Sequence, residues 1–401
     1  MVRVHGAGCA LLDNIYDDVD FTGPAFRRFS SRRSGDGGLV PGQLVFAEDL
    51  AEFAGTPYHA LRREITGRPE ADHSNVGGPA IVPMVHVAQM LADTEHQVAF
   101  SGLVGNDREG ARVRHVLSPV PLDLSAYRTT SGATPTTDVF SDPHYDKGRG
   151  ERTFVNQLGV AARPAAAEFS ESFFAGDIVF FGGTALVPPV HDALTELARR
   201  ARAAGAFVAV GTVYDFRHEK RAPSQPWPLL DDYALVDLVV TDREEALRIS
   251  GCSDETTALD WFVHRGAGAA VITRGPEPVL FRGGAAAGTV AGEPATLPIC
   301  TAVAEEIRRL DRAHDTTGCG DNFVGGMICD VALQMAAGAG AGEIDLSRAV
   351  AEGVVAGGLA ATYLGGLYHE SAPGEKRREI ERLRDAYGRQ IGSRITPPTG
   401  G

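Results

Sequence analysis

Three shortages frame what this chain of 401 residues can be. It has only five cysteines, Cys9, Cys252, Cys300, Cys319 and Cys329, with no CxxC pair and no dense framework. That excludes a disulfide scaffold and points to free thiols in a reducing cytoplasm. Nowhere does an apolar run approach the roughly 20 residues needed to cross a bilayer. Met1 to Leu12 carries one Arg and a short Gly-rich apolar stretch, with the wrong length and flanks for a signal peptide. Basic residues are also scarce: 38 Lys and Arg stand against 52 Asp and Glu, a formal charge of -14. Such a surface repels a phosphate backbone and argues against nucleic acid as a partner. An anionic small molecule would need locally arranged donors to be held against that field. The histidines show no metal-ligand spacing, and there is no internal repeat.

What is present is ample apolar material, 43% of the chain, enough for one large domain with an appendage. Short β-branched or aromatic runs alternate with helical patterns. Candidate strands are Val2–Gly6, Val98–Val104, Asp177–Phe181, Ala206–Val210, Leu238–Thr241 and Ala269–Thr273. Between them, His191 to Ala204 places Leu194, Leu197, Ala198 and Ala201 on one helical face and stops at Gly205. Glu244 to Ser250 and Thr256 to Arg265 read as further helices. This alternation predicts an α/β fold with a central, mostly parallel sheet covered on both faces.

Two stretches break the rhythm. Residues 14 to 72 are polar, Gly-rich around residues 30–38, with short strand-like pieces at Val19–Phe21 and Gln43–Phe46. Thr136–Phe140 and Arg152–Asn156 are extended segments joined by the turn-rich Ser141–Glu151, which is hairpin chemistry. Together, residues of about 14–50 and 130–158 are expected to form a small β-rich lid within a domain spanning 1–392; plain surface insertions are the alternative. Residues 393–401 are expected to be a disordered tail.

The chemistry concentrates in Asp315-Thr316-Thr317-Gly318-Cys319-Gly320-Asp321-Asn322-Phe323. Phe323, Met327, Val331 and Met335 then recur every four residues, so Gly318 and Gly320 sit where a loop becomes a buried helix. Glycine there lets backbone N–H groups approach an anion, and the helix N-terminus adds the positive end of its dipole. Asp321 falls in the first turn. A carboxylate at that place is either an ordinary helix-start residue or a base placed to take a proton from a hydroxyl attacking a phosphoryl group. On the residues alone both readings stand.

This stretch resembles the C-terminal signature of the PfkB/ribokinase family of carbohydrate and nucleoside kinases, usually written DTxGAGD, with Cys319 in place of Ala. Other segments resemble the family in order: Gly6 to Asp13, Gly77-Gly78 before the helical run Ile81–Leu91, the GxxGxDxxG-like Gly102 to Gly110, Thr241 to Glu245 and Ala349 to Gly366. The resemblance spans residue 3 to about 370. It implies a ribokinase-like fold and a cytoplasmic, ATP-dependent kinase for a sugar or sugar-like alcohol. Asp321 would be the base and the amides of Gly318, Cys319 and Gly320 the anion hole. Asp13, Gly77 and Gly78 would contact the acceptor, with a turn cap or a plain helix start as their structural alternatives. Thr273 and Gly275 would border ATP. Asp242, standing where the family has Asn, and Glu245 would organise Mg²⁺ through water; Glu245 can also be a simple first-turn carboxylate. Asp315 and Thr317 match a monovalent cation site, K⁺ being the candidate, and a homodimer through the lid is expected.

Three departures lie on the acceptor side and one in the turn near the nucleotide. Val82 replaces an Asn, Gly182-Gly183 replace a Glu or Gln, Gly211 opens a stretch lacking Asp-x-Asn, and Pro278 replaces a turn glycine. The long N-terminal insertion resembles adenosine-kinase-like members, for which Phe140, Phe154 or Tyr145 would line a base pocket. A ligand-sensing relative without catalysis is the reading from another class, and the intact Asp321 with its flanking glycines argues against it.

Overall fold

In a computed structural model, the structure describes residues 1–33, 35–148, 150–223, 225–283, 293–309 and 316–392. The expected tail, 393–401, lies outside the described residues. The larger sheet has nine strands among the described residues. They are β1 (Arg3–Gly8), β5 (Gln97–Gly105), β6 (Tyr127–Thr130), β9 (Ile178–Gly182), β10 (Phe207–Gly211), β11 (Leu238–Asp242), β12 (Ala269–Thr273), β13 (Val279–Gly283) and β14 (Ala295–Leu297). Their spatial order is β14-β13-β12-β11-β10-β9-β1-β5-β6. The seven strands from β6 to β12 run parallel, while β13 and β14 turn back antiparallel at one edge.

The side chains explain why this sheet is buried on both faces. On β9, Ile178 and Phe180 enter one core while Val179 and Phe181 enter the other; on β10, Phe207 and Ala209 part from Val208 and Val210 in the same way. A strand that is apolar at every position has no solvent face to offer, so helices must cover both sides. The helix Leu194–Ala203 does so through Leu194, Leu197, Ala198 and Ala201, all buried. The expected start at His191 is corrected: a separate turn of helix, Pro188–Asp192, precedes it. On the opposite face the helices Ile81–Met90, Cys319–Ala336 and Leu346–Ala360 pack together. No described helix is long and apolar enough to cross a membrane.

A second sheet, of five strands among the described residues, has the order β3-β8-β7-β2-β4. It comprises β2 (Leu11–Tyr16), β3 (Leu44–Phe46), β4 (His73–Gly77), β7 (Thr136–Asp142) and β8 (Glu151–Gln157). The hairpin β7–β8 pairs antiparallel, with Phe140 opposite Thr153. Val19–Phe21 is not a strand. Val19 and Phe21 are buried in this unit's own core, where Phe21 stacks on Phe26 at 4.2 Å. Single bonds from the Val19 amide to the Ser141 carbonyl and from the Phe21 amide to the Asp142 carboxylate, both 2.9 Å, tie the segment to the end of β7 without a ladder. The insertion also contains the helices Ala47–Ala54 and Tyr58–Thr66, whose buried Leu50, Leu61 and Ile65 complete that core.

β1 lies between β5 and β9, with the chain proceeding to one side through β5 and β6 and to the other through β9 to β12. This is a topological switch point, where a crevice opens beyond the carboxyl ends of the strands. Those ends line up: Gly8 pairs with Gly182, Gly182 with Gly211, and Asp242 with Thr273.

Candidate active site

The signature helix, Cys319–Ala336, starts at this rim. Gly318 is its N-cap in the left-handed region, φ 76°, where a side chain would be strained. A Cβ there would also fall 2.5 Å from the Cα of Gly366. The amide of Cys319 donates to the Thr316 carbonyl at 3.2 Å, closing the turn. That corrects one expectation: the Cys319 amide is already used within the chain. Among the described residues the amides of Gly318 and Gly320 have no protein acceptor. They are left at the positive end of the helix, the arrangement that suits an anion.

Asp321 stands in the first turn, partly buried. Loss of solvent raises its carboxyl to about 7. Its charge acts on two neighbours from different elements. It raises the buried thiol of Cys9, after burial itself and ahead of the charge of Asp13, and it adds to the raising of Glu245. Asp321, Asp13 and Glu245 therefore gather at one corner although they come from three distant parts of the chain.

Asp13 is buried on β2, opposite Asn75 on β4. Its carboxylate presses on Gly77: a Cβ at that glycine would lie 1.8 Å from Asp13 Oδ2. Gly78 has φ 119° and faces the Cys9 carbonyl at 2.6 Å from the same construction. The two glycines thus make room for an acid and for a backbone turn. Ala80 and Ile81 then donate to that Cys9 carbonyl at 3.1 and 3.2 Å, starting the helix Ile81–Met90.

Asp242 caps the helix Arg243–Ser250 by accepting from the Glu245 amide at 2.8 Å. Glu245 is buried, hydrogen-bonded by the Thr212 hydroxyl, and raised to about 8 by burial and then by the charge of Asp242. Thr273 lies beside Asp242 in the sheet and donates to the Thr241 carbonyl at 3.4 Å, while Gly275 takes φ 59° in the turn that follows. Arg274 closes this turn on the Pro278 carbonyl at 2.6 Å. A cleft of about 650 Å³ is walled by Gln43, Phe46, Tyr214, Phe216, Glu244 and Arg248.

Asp315 lies outside the described residues, and with it half of the expected cation pair. Among the described residues there is no cluster of three or more His, Cys, Asp or Glu side chains able to hold a metal. The oxygen donors of Asp242 and Glu245 nevertheless fit Mg²⁺, which commonly takes one or two carboxylates together with phosphate oxygens and water. A dication would also offset the burial and repulsion that keep Glu245 protonated.

Several departures acquire a physical reason. A Cβ on Gly182 would fall 2.1 Å from the Pro79 carbonyl, and one on Gly183 2.9 Å from the Pro79 ring. The start of the helix Ile81–Met90 therefore occupies the space a longer side chain would need. Val82 is fully buried and packs against Gly366. Phe140 is also fully buried, edge-on to Tyr16 at 5.8 Å, and Tyr145 leans on Phe21 at 5.6 Å. Both belong to the core of the smaller sheet rather than to a base pocket.

One contact had no trace in the sequence. Arg152 on β8 donates to the Thr317 hydroxyl at 2.7 Å, so the hairpin lies on the signature loop. Asp107, in the GxxGxDxxG-like segment, ties the hairpin's base by accepting from the Thr134 amide at 2.7 Å.

The family model described as pfkB family carbohydrate kinase matches residues 44–371. A 1-phosphofructokinase of Rhodobacter capsulatus is 29% identical over 277 residues, which cover 66% of this chain and 76% of that protein. Among solved structures, the adenosine kinase of Sinorhizobium meliloti superposes with a TM-score of 0.64 at 20% identity, covering 94% of this chain and 98% of its own. A putative ribokinase II of E. coli, solved with ATP and Mg²⁺, gives 0.61 at 16% identity, covering 95% and 100%. The fold is ribokinase-like, and the chain belongs to the pfkB family of carbohydrate kinases, a family of phosphotransferases.

Proposed function

We propose that this enzyme transfers the γ-phosphoryl group of ATP to a hydroxymethyl group of a sugar or sugar-like small molecule, with Asp321 as general base. The observation that carries this is the pairing, within one helical turn, of a carboxyl raised to about 7 with the unbonded amides of Gly318 and Gly320. A base poised near the working pH, beside donors for developing charge, is what attack by an alcohol on a phosphoryl group requires.

Asp13, in the space left by Gly77, orients the acceptor hydroxyls. Asp321 takes the proton as the hydroxyl oxygen attacks in line. The transition state is loose, so the gain comes from positioning and from charge stabilisation by the two amides. Asp242 and Glu245 would hold Mg²⁺ through water, which neutralises phosphate charge when bound. Thr273 and Gly275 border the nucleotide. Arg152, seated on Thr317, keeps the hairpin over the corner and limits transfer to water. A cation near Thr317 and a homodimer through the smaller sheet remain part of this proposal.

The sugar reading is preferred to the nucleoside one because Phe140 and Tyr145, two of the three aromatics expected for a base pocket, are spent on the core of the smaller sheet; the third, Phe154 on β8, is half-buried and stands outside that core. A panel of hexoses, pentoses, sugar acids, sugar phosphates and nucleosides with Mg²⁺–ATP, scored by ADP release and product mass, tests it. Turnover confined to nucleosides would replace the acceptor class; no turnover with any hydroxyl acceptor would sink the proposal.

A further inference from the structure

The Gly318 carbonyl, at the turn that opens the signature helix, receives two hydrogen bonds from one residue. Asn322 donates through its backbone N–H at 2.9 Å and through Nδ2 at 2.9 Å. The same Nδ2 donates to the Gly366 carbonyl at 2.8 Å. Asn322 therefore staples the glycine loop 318–320 to the loop at 365–366, two backbones already in contact through Gly318 and Gly366.

A carboxamide can present either end, since its oxygen accepts and its nitrogen donates. Turned over, Oδ1 of Asn322 would face two carbonyl oxygens. Lys376, near the start of the helix Glu375–Ile391, holds the other orientation: its Nζ donates to Oδ1 at 3.0 Å. An ammonium can only donate, so it fixes which end of the amide faces the loops. Both residues are sealed from solvent, Asn322 at 0% and Lys376 at 1% exposure. A buried cation is costly unless something in the fold needs it.

We propose that Lys376 is a positioning residue for phosphoryl transfer: its ammonium orients the Asn322 amide, which holds the glycine loop that meets the phosphoryl group. This rests on the kinase reading given above. The groups around the ammonium are consistent with a single buried charge. His86, from the helix Ile81–Met90, is kept neutral by burial and then by Lys376 itself. The Cys329 thiol of the signature helix is pushed up by burial. Glu370, which accepts from the Lys376 amide at 2.9 Å, favours the charged form. Arg384 and Glu352 pair with each other at 2.9 Å and leave Lys376 to Asn322. Burial dominates and lowers Lys376 to about 7. The ammonium is thus complete below that value and lost above it; the charge-assisted bond then becomes an ordinary amine hydrogen bond, and the hold on the Asn322 amide weakens.

The test is calorimetric binding of Mg²⁺–ATP between about pH 6 and 8.5 by the wild type, Lys376→Met and Lys376→Gln. Wild-type affinity should fall about tenfold more across that range than in the Met variant, the titration of ATP itself being common to both. The Gln variant supplies a neutral donor, and should bind within about threefold of wild type at the alkaline end, without the extra pH dependence. With an acceptor present, kcat of the Met variant should drop about 10–100-fold at unchanged acceptor KM, because Asp13 and Gly77 are untouched. Equal pH dependence and equal kcat in the wild type and the folded variants overturn the proposal; should the Met variant not fold, the Gln variant against wild type decides in the same way. A wild type that binds no ATP at any pH overturns the kinase reading, and this assignment with it.

Discussion

Arg152 and Thr317 stand 165 residues apart in sequence, yet the guanidinium Nη1 of the first lies 2.7 Å from the hydroxyl of the second. Through that bond the hairpin of the smaller sheet touches the loop that opens the signature helix. The hairpin and the glycine loop are thereby tied to each other. In a chain of charge -14, Arg152 also brings a positive group to the signature loop.

Arg152→Ala should leave the fold intact, since the side chain is only partly buried. Turnover should fall about 10²-fold, as when a donor to developing charge is lost. Water should also gain access, so ADP should form in excess over phosphorylated acceptor. A ratio that stays at one-to-one with unchanged kcat would leave Arg152 a surface contact.

Asp321→Asn should bind Mg²⁺–ATP as wild type does and lose at least about 10²-fold in kcat. It should also be the more heat-stable protein. The carboxyl is raised in the folded state, so the native form resists ionisation that the unfolded chain accepts freely. The advantage of Asn is absent near the ordinary carboxylate pKa of about 4, grows as pH rises, and is complete above about 7. Thermal unfolding of the two proteins at several pH values checks the sign.

The acid limb of kcat/KM should report the same group. Below about 7 the base is protonated, and kcat/KM with a neutral acceptor should fall about tenfold per unit. In Asp321→Glu that limb should move while the fold persists. A flat profile down to about pH 5 would remove Asp321 as the titrating base.

Gly77→Ala places a methyl group 1.8 Å from Asp13 Oδ2, so the carboxylate must shift. Overpacking of this kind costs about 1–3 kcal/mol. The acceptor KM should rise severalfold while the KM for ATP is unchanged, because the nucleotide side of the site is built on other strands. Initial-rate kinetics with each substrate varied would separate the two.

Glu245→Gln keeps the shape of a side chain that the Thr212 hydroxyl holds, but cannot ionise. The Mg²⁺ dependence of turnover should shift by about 10–100-fold, the usual effect of losing an outer partner of a metal. Full activity of the wild type in excess chelator would contradict the assignment of Asp242 and Glu245.

Much of this was legible in the residues because the relevant physics is local. Ile178 to Phe181 and Phe207 to Val210 alternate between two cores, and such runs can be read as doubly covered strands before any coordinates exist. Gly318, Gly320 and Asp321 share one helical turn, so the anion-binding end and its carboxylate are contiguous in the chain. Tertiary structure decided what joins them. It took Cys319 out of the set of available amides, put β2 and β4 into the smaller sheet, pressed Asp13 against Gly77, and brought Arg152 and Lys376 to the signature loop from 165 and 54 residues away. Periodicity and turn chemistry record only what a residue does with its near neighbours. A contact made across hundreds of residues depends on how whole layers pack, and one arginine or lysine at its end leaves no pattern to read.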